Sequence, residues 1–462
     1  MLDLIRSKLG DLVPDTWSTD MTTRGEHVAL FREYEDGEHR ASLTPEMQEM
    51  LRISGGVLDQ FNANYCELVV GAMADRLIVT GIDGNGESEN AWASELLARN
   101  RFDALQMDVH QAAIRDGSTY LLVEPSDTGY STMAHEPAWD TETGLIPVYD
   151  RAQRNLVCAV KVWLEGADKR VNFYYPDRIE KYRTGSDTTV HNLIEIETIP
   201  WVTRSGEPLG VPVVPVVNRS RTKNPYGISE LGKVIPLQDV LNRALYSMVT
   251  AGELTAFQIR YLIGAKLSSR KIHPGMFLEI GGDGVEAGWK VEVGTLPQGD
   301  IGKMIDLAAF AIDQICTVSR TPLLTGALGG QRSGEALKML ETGLLGKIRG
   351  FHVKAGNAWE DVLSMAARLQ AEFGNVRPPV EARWSCKWLP AELRNDVEVI
   401  ENAGKVADRV SEREYLRLIS PVWGWDSVHI EQIREERAQE RTSSLAALGG
   451  ALPGFEQFAT PG

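Results

Sequence analysis

Two long helical periodicities, separated by a short β-rich stretch, constrain this chain more than any other feature. From about Ser229 to Phe257, residues Leu237, Leu241, Ala244, Leu245 and Met248 fall on one apolar stripe. From Asp300 to about Arg320, residues Ile301, Ile305, Ala308, Ile312 and Ile315 recur at alternating steps of four and three. That spacing predicts a straight seam packed against another long helix. Between them, 258–299 holds "IRYLIGA", "GMFLEIGG" and "WKVEVG", runs of strand type joined by glycine-rich turns. The stripes are too narrow for a self-sufficient bundle, so the pattern predicts association with further copies.

The chain has 462 residues, room for several domains. No apolar run approaches the ~18 residues of a membrane span. The first residues, "MLDLIRSKLGDLVPDTW", are amphipathic without a signal core. Cys66, Cys158, Cys316 and Cys386 lie far apart, which predicts neither a metal site nor a disulfide framework and fits a reducing compartment such as a bacterial cytoplasm. The net charge of −16 is uneven: residues 1–150 hold 27 acidic against 10 basic residues. An acidic general surface repels nucleic acid, but a local basic ring or channel remains open to the chain. The segment 319–354 carries Arg320, Arg332, Lys338, Lys347, Arg349 and Lys354 against Glu335 and Glu341. It reads equally as a solvated helix face.

Helical spacing dominates the first hundred residues. Pro45 after Thr44 opens one helix, Leu58 to Met73 shows a helical stripe, and further helices are predicted over 90–99 and 102–116, the last stopped by Gly117. The period then changes to two. "STYLLVEP", "LVCAVKVWLE", "VNFYYPDRIEKYR" and "NLIEIETI" predict an antiparallel meander, closed by "LGVPVVPVVNRS". A third long helix begins at Ser333, followed by a strand with Val380, Ala382, Trp384 and Cys386 alternating, a charged helical region from Ala391 to Arg441, and a small-residue tail over 443–462 expected to be irregular.

Catalytic constellations are missing. Gly227-Ile-Ser-Glu-Leu-Gly232-Lys233 approaches a phosphate-binding loop, but Val234 stands where a magnesium-ligating hydroxyl is required. A turn that opens a helix explains the stretch better, with Pro236 suited to the first helical turn. The eight histidines are dispersed, no Gly-x-Ser-x-Gly elbow occurs, and "GGDGVEAG" from Gly281 reads as a hairpin turn. Glu435 and Glu436 lie in a charged helical face, and Asn218-Arg219-Ser220 is a glycosylation triplet without a secretory context. No catalytic residue, metal or cofactor is expected.

Four stretches together resemble the portal proteins of tailed double-stranded DNA bacteriophages, in the branch typical of long non-contractile tails. They are "NANYCELVVGAMADRLIVTG", "VHQAAIRDGSTYLLVEP", "GVPVVPVVNRSRTKNPYGISELGKVIPLQDVLNRAL" and "SRTPLLTGALGGQRSGEALKMLETGLLGKIRG". The likeness covers about Thr44 to Arg441. It implies an α+β, mainly helical, multi-domain portal fold of wing, stem, clip and crown that assembles into a ring. In those terms the wing is 1–228, rejoined by 334–390; the stem helices are 229–257 and 300–320; the clip is 258–299; the tunnel loop is 321–333; the crown is 391–442. "NPYGISEL" becomes the junction of wing and first stem helix, with Gly227 serving the turn and Lys233 exposed.

The resemblance also implies partners: a homo-oligomeric ring of about twelve copies, double-stranded DNA passing through it, the terminase large subunit, the head–tail adaptor, and the major capsid and scaffolding proteins, with no membrane. The location is one vertex of the virion capsid, after assembly in the host cytoplasm. Gln331, Arg332 and Lys338 are the residues expected beside DNA, and Arg260, Lys266, Arg270, Lys271 and His273 those that dock terminase or adaptor. A loop with few charges suits a channel in which DNA slides, because each neutralised phosphate adds a salt-sensitive grip. The competing readings are a nucleotide-binding hydrolase using Gly227 to Lys233 and a helical scaffold unrelated to phage.

Overall fold

A computed structural model describes residues 1–39, 63–150, 155–166, 168–184, 192–219, 224–256, 260–263, 277–280, 292–295, 301–322, 334–374, 378–392, 396–423, 425 and 427–450. The fold is mixed α and β. Two compact units are present: Met1–Asp75 with Asp108–Glu124 and Met133–Lys354, and Arg76–Met107 with Pro125–Thr132 and Ala355–Gly462.

In the first unit, α1 (Leu2–Leu9), α2 (Trp17–Glu35) and α3 (Tyr65–Ala74) precede the sheets. Asn64 caps α3, its side-chain oxygen accepting from the amides of Cys66 and Glu67. Five strands form an antiparallel meander in sequence order: β4 (Gly144–Tyr149), β5 (Leu156–Glu165), β6 (Asp168–Tyr174), β7 (Arg178–Thr184) and β8 (Leu193–Pro200). One face alternates Ile146, Val148, Val160, Val162, Val171 and Phe173 into a core closed by Ile5 and Leu9 of α1 and Trp17 and Met21 of α2. Period-two alternation is what lets one face bury while the other stays polar.

Three details differ from the sequence expectation. "VNFYYPDRIEKYR" is two strands, because Pro176 supplies no ladder donor and turns the chain. β4 was hidden by its proline and glycine. "STYLLVEP" leaves the meander: β2 (Ser118–Glu124) lies between β3 (Thr132–Glu136) and β9 (Val213–Val217) in a separate sheet, paired antiparallel to β9 with Ser118 opposite Val217. Both faces of β2 are covered, so its six leading residues are buried without alternation.

Buried ion pairs tie α2 to α5 (Phe102–Asp116). Arg32 reaches Asp116 at 3.0 Å and Asp140 at 2.7 Å, and Arg115 reaches Glu35 at 2.8 Å. Further along, α6 (Ile235–Ala256) and α7 (Ile301–Ser319) pack together on either side of a three-stranded sheet in sequence, β10 (Arg260–Ile263), β11 (Phe277–Ile280) and β12 (Glu292–Thr295). β10 is central, parallel to β11 and antiparallel to β12. The strands flanking the glycine-rich run at 281–291 therefore do not pair with each other, and the hairpin expected there is not formed. A strand ladder is a non-local choice that a turn motif alone does not decide.

In the second unit, β1 (Val79–Asp83) pairs antiparallel with β13 (Ser385–Trp388). β1 interrupts what reads as continuous helix, and β13 is shorter than the alternation around Trp384 predicts. Gln106 clamps the start of β1, accepting from the Val79 amide at 2.7 Å. Trp92 of α4 (Glu87–Arg99) stacks on Trp384 at 5.4 Å, and Phe102 meets Trp359 edge-on at 4.9 Å. α8 (Gly334–Phe373) runs 40 residues, belonging to the first unit as far as Lys354 and to the second from Ala355, and α9 (Asp396–Val406), α10 (Glu412–Trp423) and α11 (Ser427–Gly450) follow in the second. α11 continues eight residues past 442 as helix, through a stretch whose Leu, Ala and Ala residues are strong helix formers. Among the described residues, no helix is long and apolar enough to cross a membrane.

Candidate functional site: the junction at the entrance of α6

The stretch "NPYGISELGK" is a built junction in the first unit. Asn224 opens an Asx turn, its side-chain oxygen accepting from the Tyr226 amide at 3.1 Å and its side-chain amide donating to the Gly227 carbonyl at 3.2 Å. Arg24 lies over the Tyr226 ring at 4.2 Å and donates to its carbonyl at 3.1 Å. Gly227 has φ +79, and an added Cβ would fall onto the Gly117 carbonyl oxygen and within 2.6 Å of the Asn218 oxygen. Gly117 itself has φ +88 and passes against the Ile228–Ser229 backbone, where a Cβ would come 2.9 Å from the Ser229 nitrogen. Two glycines with positive φ thus cross at close range, each in a conformation that side chains disfavour.

Backbone groups here are already used. The Ile228 amide donates to Asn218 O at 2.9 Å, the Glu230 amide to Ile114 O at 3.1 Å, and the Leu231 amide to Ser229 Oγ at 3.0 Å. A phosphate cradle requires such amides to be free and convergent. Val234 is buried, Lys233 is exposed, and a single turn of 3₁₀ helix over Leu231–Lys233 leads into α6. The near-match to a nucleotide loop is a helix entrance. Asn218 is also buried and donates to both Ile228 O at 2.9 Å and Glu230 Oε1 at 3.0 Å, which removes it as a glycan acceptor.

Around Glu230 a charged node forms that the sequence did not reveal. Glu230 and Lys347 have side chains only 2% and 6% exposed and are ion-paired. Arg219 reaches the other oxygen of Glu230 at 2.8 Å, and Lys347 donates to the Ser319 carbonyl at 2.7 Å. Lys347 therefore joins the entrance of α6, the end of α7 and α8. Burial pushes the Lys347 pKa down; Glu230 opposes this, and Arg219 and Arg320 add to it. Glu230 and Lys347 stand 117 positions apart, and no local pattern links them.

The exposed surface of α7 mixes large apolar side chains with the charged Lys303, Asp306 and Asp313. On α7 the buried line is Ala308, Ala311, Ile315 and Ser319. It shares Ala308 and Ile315 with the expected seam, whose Ile301 and Ile312 are half-buried and whose Ile305 is exposed. Ile305, Leu307, Phe310 and Val318 face outward, Phe310 with 59% of its surface exposed.

Gln331 and Arg332 lie outside the described residues. Lys338 falls in α8, but its side chain also lies outside them. Arg260 lies in β10 with its side chain outside the described set, as are Lys266, Arg270, Lys271 and His273 altogether. The helix start predicted at Thr44 lies outside it too. The described residues contain no cluster of three or more metal-ligating side chains. Burial pushes the thiols up, Cys66 and Cys386 each to about 12, so they behave as packing groups rather than nucleophiles.

Residues 57–443 match the family described as phage portal protein, SPP1 Gp6-like. The portal protein of Mycobacterium phage L5 is 24% identical over 457 residues, covering 90% of this chain and 86% of the relative. The portal protein of Mycobacterium phage D29 is 28% identical over 268 residues, covering 54% and 53%. Among solved structures, the neck of a native gene transfer agent particle aligns at TM-score 0.43 and 11% identity, over 82% of this chain and 95% of that one.

Proposed function

Because this chain belongs to the phage portal protein family of the SPP1 Gp6-like kind, a family of structural virion components, we propose that it forms a ring at one capsid vertex through which DNA is packaged and later ejected. The ring holds about twelve copies, the closed cyclic symmetry that repeated head-to-tail contacts generate. The observation that carries this reading is the large apolar side chains left exposed on α7, with Leu307, Phe310 and Val318 on one flank of its buried line and Ile305 on the other, uncovered by their own chain. A neighbouring copy covers such side chains, with Lys303, Asp306 and Asp313 at the edges of the contact.

In this reading α6 and α7 are the stem, the small sheet of β10 to β12 belongs to the clip, 321–333 is the tunnel loop, and 391–442 is the crown. Gln331, Arg332 and Lys338 lie nearest the DNA. Arg260, Lys266, Arg270, Lys271 and His273 meet the terminase large subunit or the head–tail adaptor, while capsid and scaffolding proteins contact the wing. Assembly takes place in the host cytoplasm, and the protein performs no catalysis. Native mass measurement and top-view electron micrographs test the ring. The parent protein gives a closed annulus and Phe310→Glu gives subunits; a parent that stays monomeric or dimeric at high concentration ends the reading.

A further inference from the structure

The second unit contains an open cleft of about 550 Å³ that the ring reading does not use. Ligand-binding sites span ~300–1,000 Å³. The floor of the cleft is the outward face of the β1–β13 pair. Successive strand residues point to opposite sides: Ile82 is buried, Gly81 and Asp83 flank it and line the cleft, and Lys387 stands directly opposite Gly81 on β13. Gly81 has a φ outside the left-handed region, and an added Cβ would meet nothing within 4 Å. The fold has room for a side chain there and leaves it out. Glycine inside a strand marks a bulge or a place where another backbone comes close. The ladder does shift between Val79 and Gly81. A bulge demands glycine only when its residue is left-handed, however, whereas a backbone laid on the floor demands it at any φ.

The walls name the chemistry. Three exposed cations line the cleft from three segments: Lys387 on β13, Arg417 on α10, and Arg101 between α4 and α5. Arg101 and Lys387 make no ion pair among the described residues, and Arg417 has only Glu414 of its own helix, at 3.7 Å. Asp83 and Asp103 also line the cleft, so three cations against two acids leave it at +1 in a chain of −16. Ser94 and Ser420 add hydroxyls. Guanidinium and ammonium donors of this kind suit carboxylates. Trp425 lines the cleft too and stacks on Trp423 at 6.0 Å, and Trp423 is 58% exposed. That second ring carries the apolar wall out of the cleft, beyond the reach of a small ligand, and tryptophan is enriched where proteins meet.

We propose that this cleft receives a short, extended, acidic segment of another protein, its backbone lying over Gly81 and its carboxylates meeting Lys387, Arg417 and Arg101. The inference does not depend on the ring reading. An extended chain turns alternate side chains to one side, so acidic residues at every second position face the cations together. A side chain at position 81 stands where that backbone runs.

The test uses the full-length protein and a fluorescein-labelled hexapeptide of alternating aspartate and valine, with a lysine–valine hexapeptide as control and binding followed by anisotropy. The parent should bind the acidic peptide saturably at low salt, and salt should weaken it. Gly81→Val should melt no lower than the parent, because its side chain enters open space and valine favours strands, yet bind at least tenfold more weakly. Arg417→Glu should keep the parental melt, being exposed, and also bind at least tenfold more weakly. Should Gly81→Val fail to fold, the glycine serves the bulge, and Arg417→Glu with Lys387→Glu decide on binding alone. Several outcomes overturn the proposal: no saturable binding at millimolar peptide, equal binding of the lysine peptide, or parental binding by the folded variants. Displacement of the peptide by equimolar inorganic phosphate reassigns the cleft to a small anion, and binding that appears only when the protein is diluted reassigns it to a second copy; either result also overturns it.

Discussion

Replacing Lys347 by Met is the sharpest probe of the junction. Methionine keeps the length of the side chain and removes the amine. Glu230, 2% exposed, then keeps Arg219 and Asn218 but loses its buried ammonium, and the Ser319 carbonyl loses its donor at 2.7 Å. Removing one member of a buried pair costs ~3–5 kcal/mol. Arg219 remains on Glu230 at 2.8 Å and still neutralises it, which places the loss at the lower end. The orphaned carbonyl adds about 1 kcal/mol. A net destabilisation of about 3–4 kcal/mol is expected, a large fraction of the ~5–15 kcal/mol that holds a folded chain together. Urea unfolding at fixed protein concentration measures it as a shift in midpoint with little change in slope. The double variant with Glu230→Gln should recover more than about 1 kcal/mol relative to additivity, because the charge that Lys347 serves has gone. A single variant that loses less than about 1 kcal/mol, or a strictly additive pair, would refute the view that Lys347 and Glu230 act as one unit.

Gly227→Ala should destabilise by at least the ~1–2 kcal/mol of forcing an L side chain into left-handed backbone, with a further penalty from the crossing at Gly117 and Asn218; thermal melts read it, and a neutral result would show that the crossing is loose. Phe173→Ala, at the centre of the meander core, should cost about 3–5 kcal/mol in the same assay. His352 has its pKa lowered to about 4 by burial, so the unfolded chain binds a proton there that the folded chain refuses. Stability therefore falls as pH drops from about 6.5 through about 4, and His352→Gln should flatten that part of the stability–pH curve while leaving the rest in place, His39 and His135 contributing the same sign.

Local periodicity was enough for the elements whose cause is local. α5 spans Phe102–Asp116 and ends at Gly117, as the apolar spacing and the glycine stop predict, and the β-rich runs from Leu156 onward are strands. The helix pair around a small sheet was also readable, because a 3.6-residue stripe and a two-residue alternation are properties of neighbouring residues. The turn at Gly227 could be told from a nucleotide loop by one side chain, Val234.

Partnership was not readable, because it is settled by which surfaces remain to be buried once the elements exist. β1 takes its partner from residues 385–388, at the far end of the chain; β2 leaves the meander for β9; β10 inserts itself between β11 and β12. The same holds for the face of α7 that packs inward. The isoleucine spacing suggested one seam; Ala308 and Ile315 of it are buried, while Ala311 and Ser319 join them and Ile305 is left exposed. Glu230 meets Lys347 and Arg219 only after three separate segments have been brought together by the burial of their apolar neighbours. The sequence by itself determined the helices, the strands, the turn and the family. The sheet orders and the buried charge belong to the tertiary structure, since desolvation arises only when distant segments share one interior.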